Sequence, residues 1–214
     1  FGLVQSEVEG FLVQDSATAA TMLATGRMTK HEVVGVDPNG RPLETILEKA
    51  KQRGLATGLV TDTRLTHATP AAFAAHRPHR SQENEIAEDM LEAQPDVMLG
   101  GGLRHWVPSG THTIAGMTVK SKRTDGQDLQ AKAGSRGYTV VHTHQQLMAE
   151  AARANKLLGL FSSSGMDNGI KWSQKKTDPT RQQPGLPDMT LAALRVLERA
   201  RGGFFLVVEA GQID

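Results

Sequence analysis

The chain has 214 residues, 38% of them hydrophobic and 22% charged, a length and composition that can bury one sizeable core and so read as one domain or part of one. With 24 basic residues against 23 acidic ones the formal net charge is +1, which offers no field of a single sign to recruit nucleic acid or an anionic membrane. The absence of cysteine excludes disulfides and thiolate metal sites, leaving His, Asp, Glu and hydroxyl oxygens as possible metal ligands.

The first signal along the chain is an apolar, strand-like run over residues 10–14. It ends in Asp15-Ser16-Ala17 and passes into a helix rich in Ala and Thr that reaches Gly26. Ser16 at this junction has two readings. Serine is a favoured helix cap. A serine at a helix N-terminus on a sheet edge, where free N–H groups and the helix dipole favour an anion, is also a phosphate-facing nucleophile. Pro42 then introduces Leu43, Ile46, Leu47 and Ala50 at helical spacing, Gly54 stops that helix, and residues 55–61 follow as a buried strand. Thr69-Pro70 opens a short Ala-rich helix with Thr69 as its cap. Ile86, Ala87, Met90 and Leu91 mark another helix, followed by a strand over 96–99 and the turn Gly100-Gly-Gly102, which lacks the lysine and spacing of a P-loop.

Residues 103–136 carry turn residues and charge with weak periodicity, and read as an insertion or a peripheral hairpin region. Regularity returns with a strand over 138–142, a helix over 145–154 and a strand over 157–161. The stretch 173–187 is a polar, proline-bearing loop. Asp188 caps a helix carrying Ala193, Val196, Leu197 and Ala200, and Gly202-Gly203 ends it before a strand over 204–208 that is apolar on both faces. Such strands belong to parallel sheets covered by helices. The fold class is therefore α/β, a mostly parallel central sheet in three layers with helices on both faces.

In open α/β sheets, ligands bind outside the carboxyl ends of the strands. The first strand's end carries Asp15 and Ser16, the second carries His67 and Thr69, and the last carries Glu209 and Asp214. Each has a structural reading of its own as a cap, a local hydrogen bond or a solvated carboxylate. Together they are groups that hold hard cations and a phosphate.

The segment Val13-Gln-Asp-Ser-Ala17, with the following Ala-Thr-rich helix and Thr25-Gly26, resembles the nucleophile segment of alkaline phosphatases. Further blocks agree in order. Val60-Thr-Asp-Thr-Arg-Leu-Thr-His-Ala-Thr-Pro-Ala-Ala-Phe-Ala-Ala-His76 is similar to the family's central block, Asp96-Val-Met-Leu-Gly-Gly-Gly102 to its glycine turn, and Phe204-Phe-Leu-Val-Val-Glu-Ala-Gly-Gln-Ile-Asp214 to its later metal segment. The resemblance implies that Ser16 is the nucleophile and a ligand of one zinc, that Thr69 and Glu209 are ligands of a third, magnesium, site, and that Asp214 is a ligand of the other zinc. It places the phosphate-binding arginine at Arg80, with Asp15 orienting it. Without the family, Arg80 reads as part of a solvated basic turn with Arg77 and His79. A guanidinium suits the role because its planar fork binds two phosphate oxygens at once. The resemblance also places His67 beside the third metal and implies that it acts there through a water instead of as a ligand. His142-Thr-His144 could be a metal pair at the end of a strand, but the resemblance assigns it no role and it reads as a surface or cap feature.

What the resemblance implies is a phosphate monoester hydrolase with two zinc ions and one magnesium ion, acting through a phosphoserine on Ser16. Its partners are phosphate monoesters and inorganic phosphate, with no nucleic-acid role. The alternative is a non-catalytic phosphate- or metal-binding relative. Another hydrolase of the same superfamily is weaker: a sulfatase needs a proline and an arginine shortly after its nucleophile, and Ser16-Ala-Thr-Ala-Ala20 has neither. An acyl-transfer serine hydrolase would need the Gly-x-Ser-x-Gly elbow, also absent. The family's bridging aspartate and zinc histidines are missing from the chain. The expectation is that residues 1–214 are a partial catalytic domain, with those ligands before Phe1 and after Asp214, and that the isolated chain is inactive. No apolar run reaches the length of a membrane span, and the start, Phe-Gly-Leu-Val-Gln-Ser-Glu, has neither an initiator Met nor signal-peptide regions. Export to the periplasm or outside the cell, and assembly as a homodimer, are further expectations from the resemblance.

Overall fold

Adjacent residues on the long strand β1 (Ala56–Arg64) enter different cores: Leu59 joins one apolar cluster and Val60 the other. The same alternation separates Met98 from Val97 and Leu99 on β2 (Val97–Gly101), and Leu158 from Leu157 on β6 (Lys156–Leu160). Successive side chains on a strand point to opposite faces, so this sheet is buried on both. In the computed structural model, which describes residues 8, 11, 13–175, 177 and 182–213, the sheet has five strands in the order β5-β6-β2-β1-β7, with β5 at Tyr138–Val141 and β7 at Phe204–Glu209. All four pairings are parallel.

One face is covered by α1 (Ser16–Thr25), α2 (Ile46–Gln52), α3 (Ala68–Ala74), α4 (Glu83–Ala93) and α5 (Leu129–Ser135). The other is covered by α6 (His144–Glu150) and α8 (Leu186–Leu197). Helices on both faces of a parallel sheet are the three-layer α/β arrangement that the sequence predicts.

Several boundaries differ from the sequence reading. Val13 and Gln14 lie outside any strand, and Val13 is 79% exposed. Of the expected strand over 10–14, residues 10 and 12 lie outside the described residues, and Phe11 pairs with Val8 in an isolated antiparallel bridge, its N–H donating to Val8 O at 3.1 Å, instead of joining the sheet. Asp15, not Ser16, caps α1, because a carboxylate accepts both of the first free N–H groups: Ala17 N donates to Oδ2 at 3.0 Å and Thr18 N to Oδ1 at 3.1 Å. Thr69 is likewise inside α3, whose N-cap is His67. Pro70 tolerates this frame because the first-turn N–H groups have no intrahelical partner for a proline to remove. Asp188 is also one turn inside α8, where its carboxylate accepts from Gly185 N at 3.0 Å. The stretch 173–187 opens with the end of α7 (Gly169–Gln174).

The segment 103–136 holds a 3-10 turn (Leu103–His105), an antiparallel hairpin of β3 (Thr111–Ile114) and β4 (Met117–Lys120), and α5. Leu103, Trp106, Val119, Leu129 and Ala133 are fully buried in the first core, so the segment is packed into the domain.

Candidate phosphate site

Asp15 occupies the entry to α1, and its carboxylate accepts five hydrogen bonds. Besides the two helix N–H groups, Glu32 N donates to Oδ1 at 3.0 Å and Thr18 Oγ1 lies 2.5 Å from the same oxygen. Burial pushes the carboxyl up, but the Thr18 hydroxyl and the three backbone N–H groups outweigh it and hold Asp15 well below the usual carboxylate range. It is therefore an anion at any working pH, and the anion faces Arg80. Arg80 Nη1 donates to Asp15 Oδ2 at 2.9 Å and to Ser16 Oγ at 2.8 Å. Its side chain is 24% exposed, enough for a small anion to reach it.

Arg80 reaches this place because α3 ends at Ala74 and the following turn is tied back to the chain after α1: Arg77 and Val34 exchange backbone hydrogen bonds, and Arg80 N donates to Glu32 O at 2.8 Å. The other arm of the guanidinium, Nη2, is 3.1 Å from His67 Nε2. An arginine only donates, so Nε2 accepts and the imidazole proton sits on Nδ1, a tautomer assigned from the hydrogen-bond network. Burial first, then the positive charges of Arg64 and Arg80, lower the pKa of His67 and keep it neutral. Nδ1 is buried without a hydrogen-bond partner. In this tautomer it offers a donor and no lone pair, so it suits a water or an anion and not a metal ion.

Glu209 stands at the carboxyl end of β7, beside β1. Its Oε2 accepts from Thr61 Oγ1 at 2.6 Å and from Thr63 Oγ1 at 3.2 Å. Thr69 is half-buried on α3, and no hydrogen bond joins it to Glu209 among the described residues. Asp214 lies outside the described residues. The turn leading to it is held by Gln212, whose N–H donates to Asp62 Oδ1 at 3.0 Å and whose amide donates to Asp62 O and Met166 O. Burial and the nearby Glu209 charge raise the pKa of Asp62 against the N–H groups of Gln212 and Gly211.

The structure thus brings together Asp15, Ser16, Arg80 and His67. Thr69 and Glu209 have no direct bond to that group. Thr18, Glu32, Thr61, Thr63, Asp62 and Gln212 are supporting residues that the sequence reading missed. Asp15 and Thr18 stand at the spacing of a helix cap and its third residue, and Thr61 and Thr63 at the two-residue spacing of one strand face, so those pairs carried a signal. Among the described residues no group of three His, Cys, Asp or Glu side chains converges to hold a metal ion, and Asp214 lies outside them. What the arrangement can do chemically is present a serine hydroxyl and a fixed cation to one anion.

The sequence profile of the alkaline phosphatase family matches residues 2–214. Alkaline phosphatase 4 of Bacillus subtilis (strain 168) is 36% identical over 208 residues, covering 94% of this chain and 40% of that protein. The crystal structure of Thermus thermophilus alkaline phosphatase superposes with a TM-score of 0.84 at 36% identity, over 99% of this chain and 41% of that one. A histidine-to-aspartate mutant of TAB5 alkaline phosphatase, solved with Mg bound in the M3 site, matches at 28% identity with a TM-score of 0.79, over 96% of this chain and 53% of that one. The chain therefore spans about two fifths of the length of the first two relatives. With a profile match across nearly its whole length and the same fold in the relatives, the chain belongs to the alkaline phosphatase family.

Proposed function

We propose that this chain is the part of a phosphate monoester hydrolase that carries its nucleophile and its phosphate-binding arginine. The observation that carries the reading is the position of Arg80 Nη1 between Asp15 Oδ2 and Ser16 Oγ. Ser16 Oγ attacks phosphorus; the serine oxygen–phosphorus bond forms as the ester bond breaks, and the hydroxyl proton passes through solvent to the departing oxygen, which leaves as the alcohol. Water then breaks the serine–phosphorus bond, releasing inorganic phosphate and restoring the hydroxyl. Arg80 holds the non-bridging oxygens while charge redistributes among them, and Asp15 keeps the guanidinium in place. Neutral His67 accepts from the other arm of Arg80 and fixes its plane.

The resemblance implies two zinc ions and one magnesium ion, which when bound would lend positive charge to the phosphate oxygens and to the attacking and leaving oxygens. Ser16, Thr69, Glu209 and Asp214 as metal ligands belong to the proposal through the resemblance, as do export and a homodimer. No helix among the described residues is long and apolar enough to cross a membrane. The 214 residues by themselves are expected to hydrolyse phosphate monoesters slowly or not at all.

The test is acid trapping of a phosphoenzyme in a metal-loaded, active enzyme carrying these residues. Label from a phosphate monoester is expected on Ser16, and Ser16→Ala is expected to abolish both label and turnover. Label on another residue, or full activity in the alanine variant, would overturn the assignment.

A further inference from the structure

The segment from Lys30 to Val34 runs beside the segment from Arg77 to Arg80. Val34 and Arg77 donate to one another's carbonyls at 2.9 and 2.8 Å, and Arg80 N–H donates to Glu32 O at 2.8 Å. The N–H of the same residue, Glu32, donates to Asp15 Oδ1 at 3.0 Å. Glu32 therefore grips both members of the pair that faces Ser16. Its carbonyl holds the main chain of Arg80, and its amide holds the carboxylate to which Arg80 Nη1 donates.

This double grip depends on a backbone conformation that side-chain-bearing residues rarely adopt. Glu32 has φ 60°, in the left-handed region. Its side chain plays a separate part: Oε2 is 3.0 Å from His79 Nε2, and His79 Nδ1 is 2.8 Å from Ser81 Oγ. The Glu32 and His79 side chains are 43% and 48% exposed, and an ion pair in that setting contributes little. The backbone at Glu32, not its carboxylate, is the part connected to the site.

We propose that Glu32 is a positioning residue for phosphate binding, its left-handed turn setting the spacing between Arg80 and Asp15. The inference rests on the proposed function, in which Arg80 holds phosphate. The test compares inhibition by inorganic phosphate across Glu32 variants of a metal-loaded, active enzyme carrying these residues, with Arg80→Ala as reference. Glu32→Gly and Glu32→Asn, which enter the left-handed region readily, are expected to keep phosphate inhibition within about twofold of the parent. Glu32→Val, β-branched and poorly suited to that region, is expected to weaken it about tenfold, on the scale of one charge-assisted hydrogen bond. Glu32→Thr takes its place if the valine variant does not fold. A general loss of stability would not be rescued by glycine, the most flexible replacement, so rescue by glycine and asparagine marks the turn as the cause. Unchanged inhibition in the β-branched variant overturns the inference, as does a glycine variant as weak as the valine one, which would place the effect in the carboxylate. If Arg80→Ala itself leaves inhibition unchanged, the phosphate-binding reading falls as well.

Discussion

Asp15 and Glu83 are both partly buried carboxylates held below their ordinary range by hydrogen bonds, and each has an arginine beside it, with His105 next to Glu83 and His67 on the other arm of Arg80. Glu83 Oε2 accepts from Arg64 Nε at 2.7 Å and Thr66 Oγ1 at 2.6 Å, with His105 Nε2 3.4 Å away. Next to it Arg123 is buried entirely and has every arm engaged. Nε and Nη2 meet Asp125, Nη2 also meets Glu88, and Nη1 donates to Asn84 O at 3.0 Å and His105 O at 3.3 Å. Around Asp15 the holding is done by backbone N–H groups and a threonine. That leaves Arg80 a quarter exposed, with one arm on a serine hydroxyl. The same residue types thus make a fastening in one place and a candidate site in the other. The difference lies in how much donor capacity the fold leaves open to solvent, which charge alone does not reveal.

Substitutions in the two clusters should have opposite consequences. The largest stability effect is expected from Arg123→Met, which removes the buried cation and strands two backbone carbonyls. Its carboxylate partners Glu88 and Asp125 are 29% and 39% exposed, so water takes over part of their hydration. The loss should be about 3 kcal/mol, the lower end for breaking a buried ion pair. Urea unfolding measures it, and phosphate inhibition in the active enzyme should stay unchanged. Arg80→Ala should do the reverse. Unfolding stability should change little, while inhibition by inorganic phosphate weakens by ~1.5–3 kcal/mol, the scale of a hydrogen bond to a charged group. Unchanged phosphate inhibition would mean that the neighbouring Arg77 is the arginine to test next, although its guanidinium is already committed to Asp89 through Nε at 2.8 Å.

Much of this was legible before the fold was known, for reasons that differ by residue. Strands buried on both faces announce a parallel sheet, and β1, β2, β6 and β7 fall within a few residues of where the apolar runs put them. The junction at Asp15 and Ser16 was visible because a helix start has a local signature; which of the two residues caps the helix depends on which oxygen reaches more N–H groups, and that is a matter of geometry. The role proposed for Arg80 was readable only through the family resemblance, since its neighbours in sequence, Arg77 and His79, look the same in composition. Glu32 carried no signal at all. A left-handed turn usually announces itself by glycine or asparagine, and here a glutamate is held there by contacts from segments far apart in the chain. The charged segment after residue 102 looked peripheral because its burial rests on single residues, Trp106 and Arg123 among them, without a period to reveal them.

The smallest effect is a test of the fastening cluster by pH. His105 is nearly buried; its Nε2 accepts from Arg104 Nε at 3.1 Å, so its proton sits on Nδ1 and faces Asn84 Oδ1 at 2.8 Å. The neutral ring is fully satisfied. Burial lowers its pKa most; Glu83 opposes this, and the positive charges of Arg104, Arg64 and Arg123 add to it, bringing the folded value to about 4 from 6.5. Between these two values the unfolded chain binds a proton that the folded chain does not. The stabilising contribution is therefore complete above pH 6.5 and is lost as pH falls toward 4. From pH 7 to pH 5 the loss should be on the order of 1–2 kcal/mol, since each tenfold difference in proton affinity between the folded and unfolded chain is worth about 1.4 kcal/mol. His76, hydrogen-bonded to Glu48, has a raised pKa and contributes in the opposite sense as pH rises. The measurement is therefore a difference: urea unfolding of the parent and of His105→Gln at both pH values, in which His76 and the carboxylates cancel. The parent should lose more stability than the variant on acidification. Parallel losses would show that His105 can take up a proton in the folded state, and that this cluster is not the closed fastening that sets it apart from the site around Asp15.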